Sequence, residues 1–457
     1  MIVMKFGGTS VQDAAAIARA ADIVRSRLDR RPAVVVSALA RVTDALLAMG
    51  RAAGAGDRDH ALSLSRELRE RHYTVAGEVL GTGVFTQFHS ELEAHFDALD
   101  ELLRGIAAVG ELTDRTADNI ASFGERISSQ IVAAAFSLRG IDAVHVDATR
   151  VIVTDNRFGR AVPDFEETND RLARQVKPLI EKKKIPVMGG FIGATPQGII
   201  TTIGRGGSDF SAAIVGAGLG SSLIEIWTDV DGMMTTDPNL CPGARRIKVI
   251  SFDEAAELAY FGAKVLHPAT LLPAMQKDIP VQVLNSRNPA NEGTRITARA
   301  HHCRNIFKAI AAKKRITIVD VVATRMLGAH GFLKAIFDVF DKHRCAVDVV
   351  STSEVSVSLT VDSNEAIPAI AADLDQLAYV KYEGRKAIVC LVGENIRGTS
   401  GIAAKVFSAI SDINVRMISQ GASEINITFV IEEDDVPDAV RRLHEMFFSD
   451  LDPEVFE

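Results

Sequence analysis

The sequence predicts an α/β protein: a mostly parallel sheet with helices on both faces over residues 1–300, then two copies of an α+β unit. Three observations predict it. Short β-rich runs (MIVMKF, AVVVSAL, DAVHVDA, IPVMGGFIGA, LIEIWTDV, IPVQVLN) alternate with helical stretches, and such alternation implies parallel strands joined by crossover helices. Two glycine-rich turns, KFGGTS and GRGGSD, stand where helical sequence begins, the first of them directly after a strand. Finally, residues 386–447 repeat the order of residues 315–384, the mark of an internal duplication.

Taken in order, MIVMKF reads as the first strand. A helix is expected from about Val11 to Leu28, because Ala14, Ile17, Ala21, Val24 and Leu28 form one apolar stripe at helical spacing. From about Asp57 to Leu112 the chain is charged and helical, with Glu67, Glu70, Arg71 and His72 at polar positions, and reads as a helical insertion. The remaining strands up to IPVQVLN complete a first domain of residues 1–300. The tail then reads strand (RITIVDVVA), helix (HGFLKAIFDVFDKH), two strands, helix and strand over 315–384. The second copy, 386–457, repeats this without an obvious closing strand. A chain of 457 residues exceeds one ordinary core, consistent with two or three domains.

Composition excludes several classes. A formal charge of -8 argues against nucleic acid, whose binders carry a basic face. Cys241, Cys303, Cys345 and Cys390 are scattered, without the pairing of a disulfide framework or zinc site, and suit reduced thiols in the cytoplasm. No apolar run approaches the roughly 20 residues of a membrane span. No cleaved leader is expected, since cleavage would remove KFGG.

KFGGTS joins Lys5, Gly7 and Gly8 to the hydroxyls Thr9 and Ser10. Bare backbone lets an anion approach, amides opening a helix point at it, and Lys5 adds a mobile charge. The spacing is neither GxxxxGK(S/T) nor GxGxxG, so neither a P-loop nor a dinucleotide fingerprint is indicated. The same residues also suit a plain turn capped by Thr9 or Ser10. In GRGGSD the cation is Arg205, whose planar fork suits a carboxylate; the alternative is a glycine turn capped by Ser208 or Asp209. SFGERISSQ places Glu125 at an expected helix start, where the dipole alone accounts for a glutamate. Beside Arg205 it gains a second meaning, since a zwitterionic amino acid needs an acceptor for its ammonium and a donor for its carboxylate. WTDVDGMMTTDP offers Asp229 for metal or ribose, with Asp231 and Asp237 as turn formers. In FGAKVLHP, Lys264 reads as a second phosphate-directed cation or a solvated lysine, and His267 as a capping or core histidine.

Together these segments resemble one family, the aspartate kinases (aspartokinases) of the amino-acid kinase superfamily. KFGGTSV, SFGERIS, RFGRAVPD, TTIGRGGSDFSAA, WTDVDG, TTDP and FGAKVLHPATL all look like its signatures, in its order. TSEVSVSLTVD resembles its first regulatory ACT domain and ISQGASEINITFVI its second, so the likeness spans nearly the whole chain. It is nearest to the single-function, lysine-sensitive branch, because the chain ends where a fused homoserine dehydrogenase would begin.

The resemblance implies an amino-acid kinase fold followed by two ACT domains. It implies transfer of the γ-phosphoryl of ATP, with Mg²⁺, to the side-chain carboxylate of L-aspartate, the first step of lysine, threonine and methionine biosynthesis. By residue-to-residue match, Lys5, Phe6, Gly7, Gly8, Thr228, Asp229, Lys264 and Val265 contact ATP. Ser37, Thr43, Glu125, Arg205, Gly206, Gly207 and Ser208 hold aspartate. Lys5 and Asp209 are catalytic, Asp209 organising the lysine, and Mg²⁺ comes with ATP rather than in a protein metal site. Feedback inhibition by L-lysine is implied at the first ACT domain of a homodimer joined through these domains, with a tetramer left open. Met326, Gly331, Leu333, Asp348, Thr352, Ser353 and Glu354 match the effector pocket. There are departures: Met234 replaces a family tyrosine, Asn239 a basic residue, and Leu39 and Arg41 smaller residues. Ala329 replaces a serine of the effector pocket, which keeps threonine as a competing effector. Two other readings stay open, a kinase for another small acid such as glutamate or acetylglutamate, and a catalytically silent sensor retaining only the ACT units.

Overall fold

The structure, a computed structural model, describes residues 1–204, 206–262, 266, 268–299, 302–323 and 330–457. The chain divides into two compact units, one of Met1–Met233, Lys248–Phe252 and Val265–Arg299, the other of Met234–Ile247, Asp253–Lys264 and Ala300–Glu457.

The first unit contains β1 (Ile2–Phe6), β2 (Pro32–Val36), β3 (Ala143–Val146), β4 (Ile185–Gly189), β5 (Ile192–Ala194), β6 (Ile200–Thr202), β7 (Ile224–Thr228), β8 (Val249–Ser251), β9 (Val281–Asn285) and β10 (Thr294–Thr297). Eight form one sheet in the order β3-β4-β2-β1-β7-β9-β10-β8, and β5 pairs with β6 apart from it. Every pair in the large sheet is parallel except β9 with β10. β1 and β2 are buried at every residue, as parallel strands covered on both faces must be. The chain moves to one side of β1 for β2 and its neighbours and to the other side for β7 and β9. That reversal opens a crevice at the carboxyl end of β1, where doubly wound sheets hold ligands.

Around this sheet run α1 (Ala14–Arg25), α2 (Val42–Gly54), α3 (Arg58–Val109), α4 (Asp114–Leu138), α5 (Phe165–Arg171), α6 (Lys177–Glu181), α7 (Gly207–Leu219) and α9 (Leu272–Gln276), whereas α8 (Phe252–Tyr260) belongs from Asp253 onward to the second unit. The charged stretch after Asp57 is α3, broken at Gly81, whose φ of 68° and ψ of 161° only glycine adopts readily. Two expectations about helix starts are corrected. Neither Thr9 nor Ser10 caps the first helix. Residues 8–10 form a 3₁₀ turn, the buried Ser10 hydroxyl donates to Trp227 O, and Asp13 caps α1 by accepting from Ala16 N–H at 2.8 Å. Glu125 is not in a first turn either. α4 begins eleven residues earlier, with Thr113 as its cap, so the helix dipole does not account for Glu125.

The second unit contains β11 (Phe307–Val322), α10 (Phe332–Lys342), β12 (Val347–Thr352), β13 (Ser356–Asp362), α11 (Ile367–Leu374), β14 (Tyr379–Gly393), α12 (Ile402–Ala409), β15 (Met417–Gln420), β16 (Asn426–Glu432) and α13 (Val436–Phe447). The strands form one antiparallel sheet, β12-β13-β11-β14-β16-β15. β11 and β14 are long enough to serve both copies. Val319 and Val321 of β11 join the core of the first copy, whereas residues 307–313 pair with residues 388–393 of β14. The closing strand that the second copy lacks in sequence therefore lies upstream of the first. Among the described residues no helix is long and apolar enough to cross a membrane.

Candidate active site

Lys5 is the fourth residue of β1, flanked in register by Val35 and Ile226. Its side chain is only 10% exposed, and Nζ lies 2.6 Å from Asp209 Oδ1 in the first turn of α7. α7 begins without a side-chain cap: Gly206, at φ 74°, is its N-cap, so neither Ser208 nor Asp209 caps the helix. Asp209 is turned to the lysine instead. The α7 terminus fits closely against the turn after β4. A Cβ on Gly190 would stand 2.8 Å from Ser208 Cα, and one on Gly207 would stand 2.5 Å from the Phe191 ring. Gly190→Ala should therefore displace the α7 terminus, costing about 1–3 kcal/mol of stability and raising the KM of the ligand this cleft holds. Thermal unfolding and steady-state kinetics check this, and an unchanged Tm and KM would contradict it.

A cleft of about 340 Å³ opens at this point, lined by Lys5 and Gly8, by Ser37 and Thr43 after β2, by Glu125, and by Gly206, Gly207, Ser208 and Asp209. Ser37 is held by Ser128 of α4, whose hydroxyl donates to Ser37 O at 2.7 Å. Glu125 is 3% exposed, and among the described residues its Oε2 has no hydrogen-bond partner. Burial pushes its pKa up to about 8, against the opposing pull of the Ala38 and Glu125 amides and the Lys5 charge. A buried carboxyl oxygen left without a donor is costly unless something is to be bound there. A primary ammonium would supply the missing donors and the opposite charge.

The two glycines of KFGG differ. Gly7 N–H donates to Trp227 O at 2.9 Å and stays behind the cleft, whereas Gly8 lines it. Gly8 must be small, since a Cβ would sit 3.0 Å from Ala38 O. The Phe6 side chain is fully buried and stacked on Trp227, leaving only its backbone for a ligand. Thr228 and Asp229 lie at the carboxyl end of β7, next to β1, outside the residues lining the cleft. Arg205, Lys264, Val265, His267, Met326 and Ala329 lie outside the described residues. In the second unit, Asp348 is bonded to Lys313 and Tyr260, while Leu333, Thr352, Ser353 and Glu354 are exposed. Gly331 caps α10 at φ 81°. The turn reading of Asp237 holds, its Oδ1 accepting from Asn239 N–H at 2.9 Å.

Sequence reasoning missed three groups. Asp44 and Phe191 also line the cleft; the Gly189-Gly190 pair before Phe191 was the available signal. Asp118 of α4 accepts from Gly159 N–H at 2.9 Å and from the Thr202 N–H and hydroxyl at 2.8 and 2.7 Å. It ties RFGRAVPD and β6 to α4 just before GRGGSD. Nothing local distinguishes it from a surface aspartate, because its partners are 41 and 84 residues away. Among the described residues no cluster of His, Cys, Asp or Glu is arranged to hold a metal.

Comparison with known proteins gives consistent results. The model of the amino acid kinase family matches residues 1–285, and that of an ACT domain matches residues 389–447. The lysine-sensitive aspartokinase 3 of Escherichia coli (strain K12) is 36% identical over 457 residues, covering 98% of this chain and 99% of that protein. The crystal structure of E. coli aspartokinase III with aspartate and ADP (R-state) superposes with a TM-score of 0.86 at 35% identity, covering 98% of this chain and all of that one. Its complex with lysine and aspartate (T-state) gives 0.84 at 35% identity, covering 98% and 99%.

Proposed function

Because the chain belongs to the amino acid kinase family and, within it, to the aspartokinases, we propose that the cleft at the end of β1 is where ATP and L-aspartate meet. The protein is an ATP-dependent aspartate kinase, moving the γ-phosphoryl of ATP onto the aspartate side-chain carboxylate to give 4-phospho-L-aspartate. The observation that carries the site assignment is Glu125, a buried carboxyl whose Oε2 has no hydrogen-bond partner among the described residues, sharing one cleft with Lys5 and the α7 terminus.

The acceptor carboxylate has an ordinary pKa near 3.9, so it is ionised at neutral pH and needs no general base. The obstacle is repulsion between two anions. Lys5, fixed by Asp209, places a positive charge between them, and the amides of Gly8 and the α7 terminus add partial charges at no cost in reorganisation. ATP enters as its Mg²⁺ complex, which neutralises further phosphate charge. Glu125 receives the aspartate ammonium. Arg205, Ser208 and the amides of Gly206 and Gly207 receive its α-carboxylate, with Ser37 and Thr43 supplying hydroxyls. Phe6 (through its backbone), Gly7, Thr228, Asp229, Lys264 and Val265 border the nucleotide. Arg205→Ala should weaken aspartate binding by about 1.5–3 kcal/mol, the worth of a charged hydrogen bond; an unchanged aspartate KM would remove Arg205 from this role.

We assign the catalytic domain to residues 1–300 and the ACT domains to 315–384 and 386–457, with residues 307–313 completing the second. L-Lysine is the inhibitor this reading favours, at Asp348 in the first ACT copy. Asp348 already accepts an alkylammonium, that of Lys313, at 2.9 Å. In the second copy VRMISQ replaces VDVVST, putting Arg416 in its place, where it pairs with Glu383. β12 is the terminal strand of its sheet, and its exposed Val350 suits a contact between two copies as a homodimer. Four free cysteines suit a reducing cytoplasm. The decisive assay is ADP release with ATP, Mg²⁺ and L-aspartate, compared with glutamate and acetylglutamate and repeated with added lysine. Turnover confined to another acid would overturn the aspartate reading.

A further inference from the structure

The inference rests on the effector reading above and concerns how a ligand at Asp348 is felt elsewhere in the chain. From Asp253 onward α8 belongs to the second unit. In sequence, however, it follows β8 directly and leads into FGAKVLHP, which carries Lys264. Three of its side chains fasten it to three different strands. Glu254 Oε2 takes Lys308 Nζ of β11 at 2.9 Å, Glu257 Oε2 accepts from Asn426 Nδ2 of β16 at 2.8 Å, and Tyr260 OH donates to Asp348 Oδ1 of β12 at 2.8 Å. Successive steps of three residues keep these groups toward one side of the helix.

The two ends of α8 are held differently. Lys308 and Glu254 are 0% and 2% exposed, and breaking a buried pair strands a charge, so this end is fixed. At the other end Asp348 is shared. Its Oδ2 takes Lys313 Nζ at 2.9 Å, Lys313 also reaches Asp362 at 2.9 Å, and the same ammonium stands 5.6 Å from the centre of the Tyr260 ring. Burial and the Asp348 carboxylate hold the Tyr260 phenol far above its usual titration range, so it stays a donor.

We propose that Tyr260 is the positioning residue through which an amino acid's ammonium bound at Asp348 acts on α8, and that Lys313 is the internal cation such an effector displaces. An incoming ammonium takes Lys313's place on Asp348, Lys313 is left with Asp362, and the carboxylate turns away from the phenol. The carboxyl end of α8, which in sequence leads into FGAKVLHP, then moves about its Glu254–Lys308 anchor.

The test uses the full-length protein with L-lysine as the probe. Tyr260→Phe keeps the ring and removes only the hydroxyl. Lysine should still bind within about threefold of the unaltered protein by calorimetry, and uninhibited turnover should stay within about twofold, while turnover at saturating lysine recovers to more than about half its uninhibited value. Lys313→Met frees Asp348 of its internal cation, so lysine should bind about five- to tenfold more tightly. Full inhibition of Tyr260→Phe overturns the coupling, and unchanged or weaker lysine binding by Lys313→Met overturns the displacement. An unaltered protein that binds no lysine overturns the effector reading, and the coupling falls with it; one that binds lysine without being inhibited overturns the coupling alone.

Discussion

Lys5→Ala is expected to lower kcat by about a thousandfold while the aspartate KM stays within about threefold. The reason is where the charge is needed. Lys5 stands at the end of the central strand with Nζ 2.6 Å from Asp209, and its cation opposes a repulsion that peaks as the acceptor carboxylate closes on the γ-phosphoryl. An interaction made chiefly in the transition state appears in kcat and in kcat/KM equally. Lys5→Arg should not restore activity, because the side chain is nine-tenths buried and a planar guanidinium cannot reproduce the compact ammonium beside Gly7. Steady-state kinetics with both substrates varied checks this; near-normal turnover by the alanine variant would remove Lys5 from the catalytic role.

Glu125→Gln should raise the aspartate KM by about 10- to 100-fold, from the loss of roughly 1.5–3 kcal/mol in a charge-assisted hydrogen bond. The same residue fixes a pH dependence. In the free protein burial holds its pKa at about 8, so the carboxyl is mostly protonated at pH 7. An ammonium beside it favours the ionised form and lowers that pKa, so binding releases a proton. Ligand binds the deprotonated form, and aspartate affinity therefore rises with pH, by up to about tenfold per unit, until it levels off near 8. Calorimetry in buffers of different ionisation enthalpy should show net proton release on aspartate binding at pH 7, and none attributable to this site in Glu125→Gln. Proton uptake, or a KM that climbs between pH 6 and about 8, would contradict the assignment.

Much of the site was legible in the sequence because its demands are local. A lysine, two glycines and two hydroxyls within six positions at a strand end mark a turn with bare backbone, which the sequence left open between an anion site and a plain capped turn, and Lys5 and Gly8 do line the cleft; GRGGSD announces another helix opening. Reading which group performs which task was less secure. Ser10, Ser208 and Asp209 all looked like caps, yet Ser10 turns to Trp227, Asp209 to Lys5, and α7 takes Gly206 as its N-cap. SFGERISSQ makes Glu125 look like a first-turn glutamate, but α4 already runs from Asp114. Asp118 gave no signal, since a carboxylate that organises two distant loops has the same neighbours in sequence as one facing solvent.

By itself the sequence determined the alternation of strands and helices, the doubled unit at its end and the places where a backbone must be bare, because side-chain period and glycine's missing Cβ act over a few residues. The tertiary structure alone decided the pairings made across long separations. It chose the strand upstream of the first copy to close the second, Gly8 rather than Gly7 to face the cleft, Asp209 to hold Lys5, and Tyr260 with Lys313 to share Asp348. The physical reason is that hydrogen bonds and ion pairs are settled by which groups burial brings within about 3 Å of one another, and residues tens to hundreds of positions apart meet only once the sheets have formed.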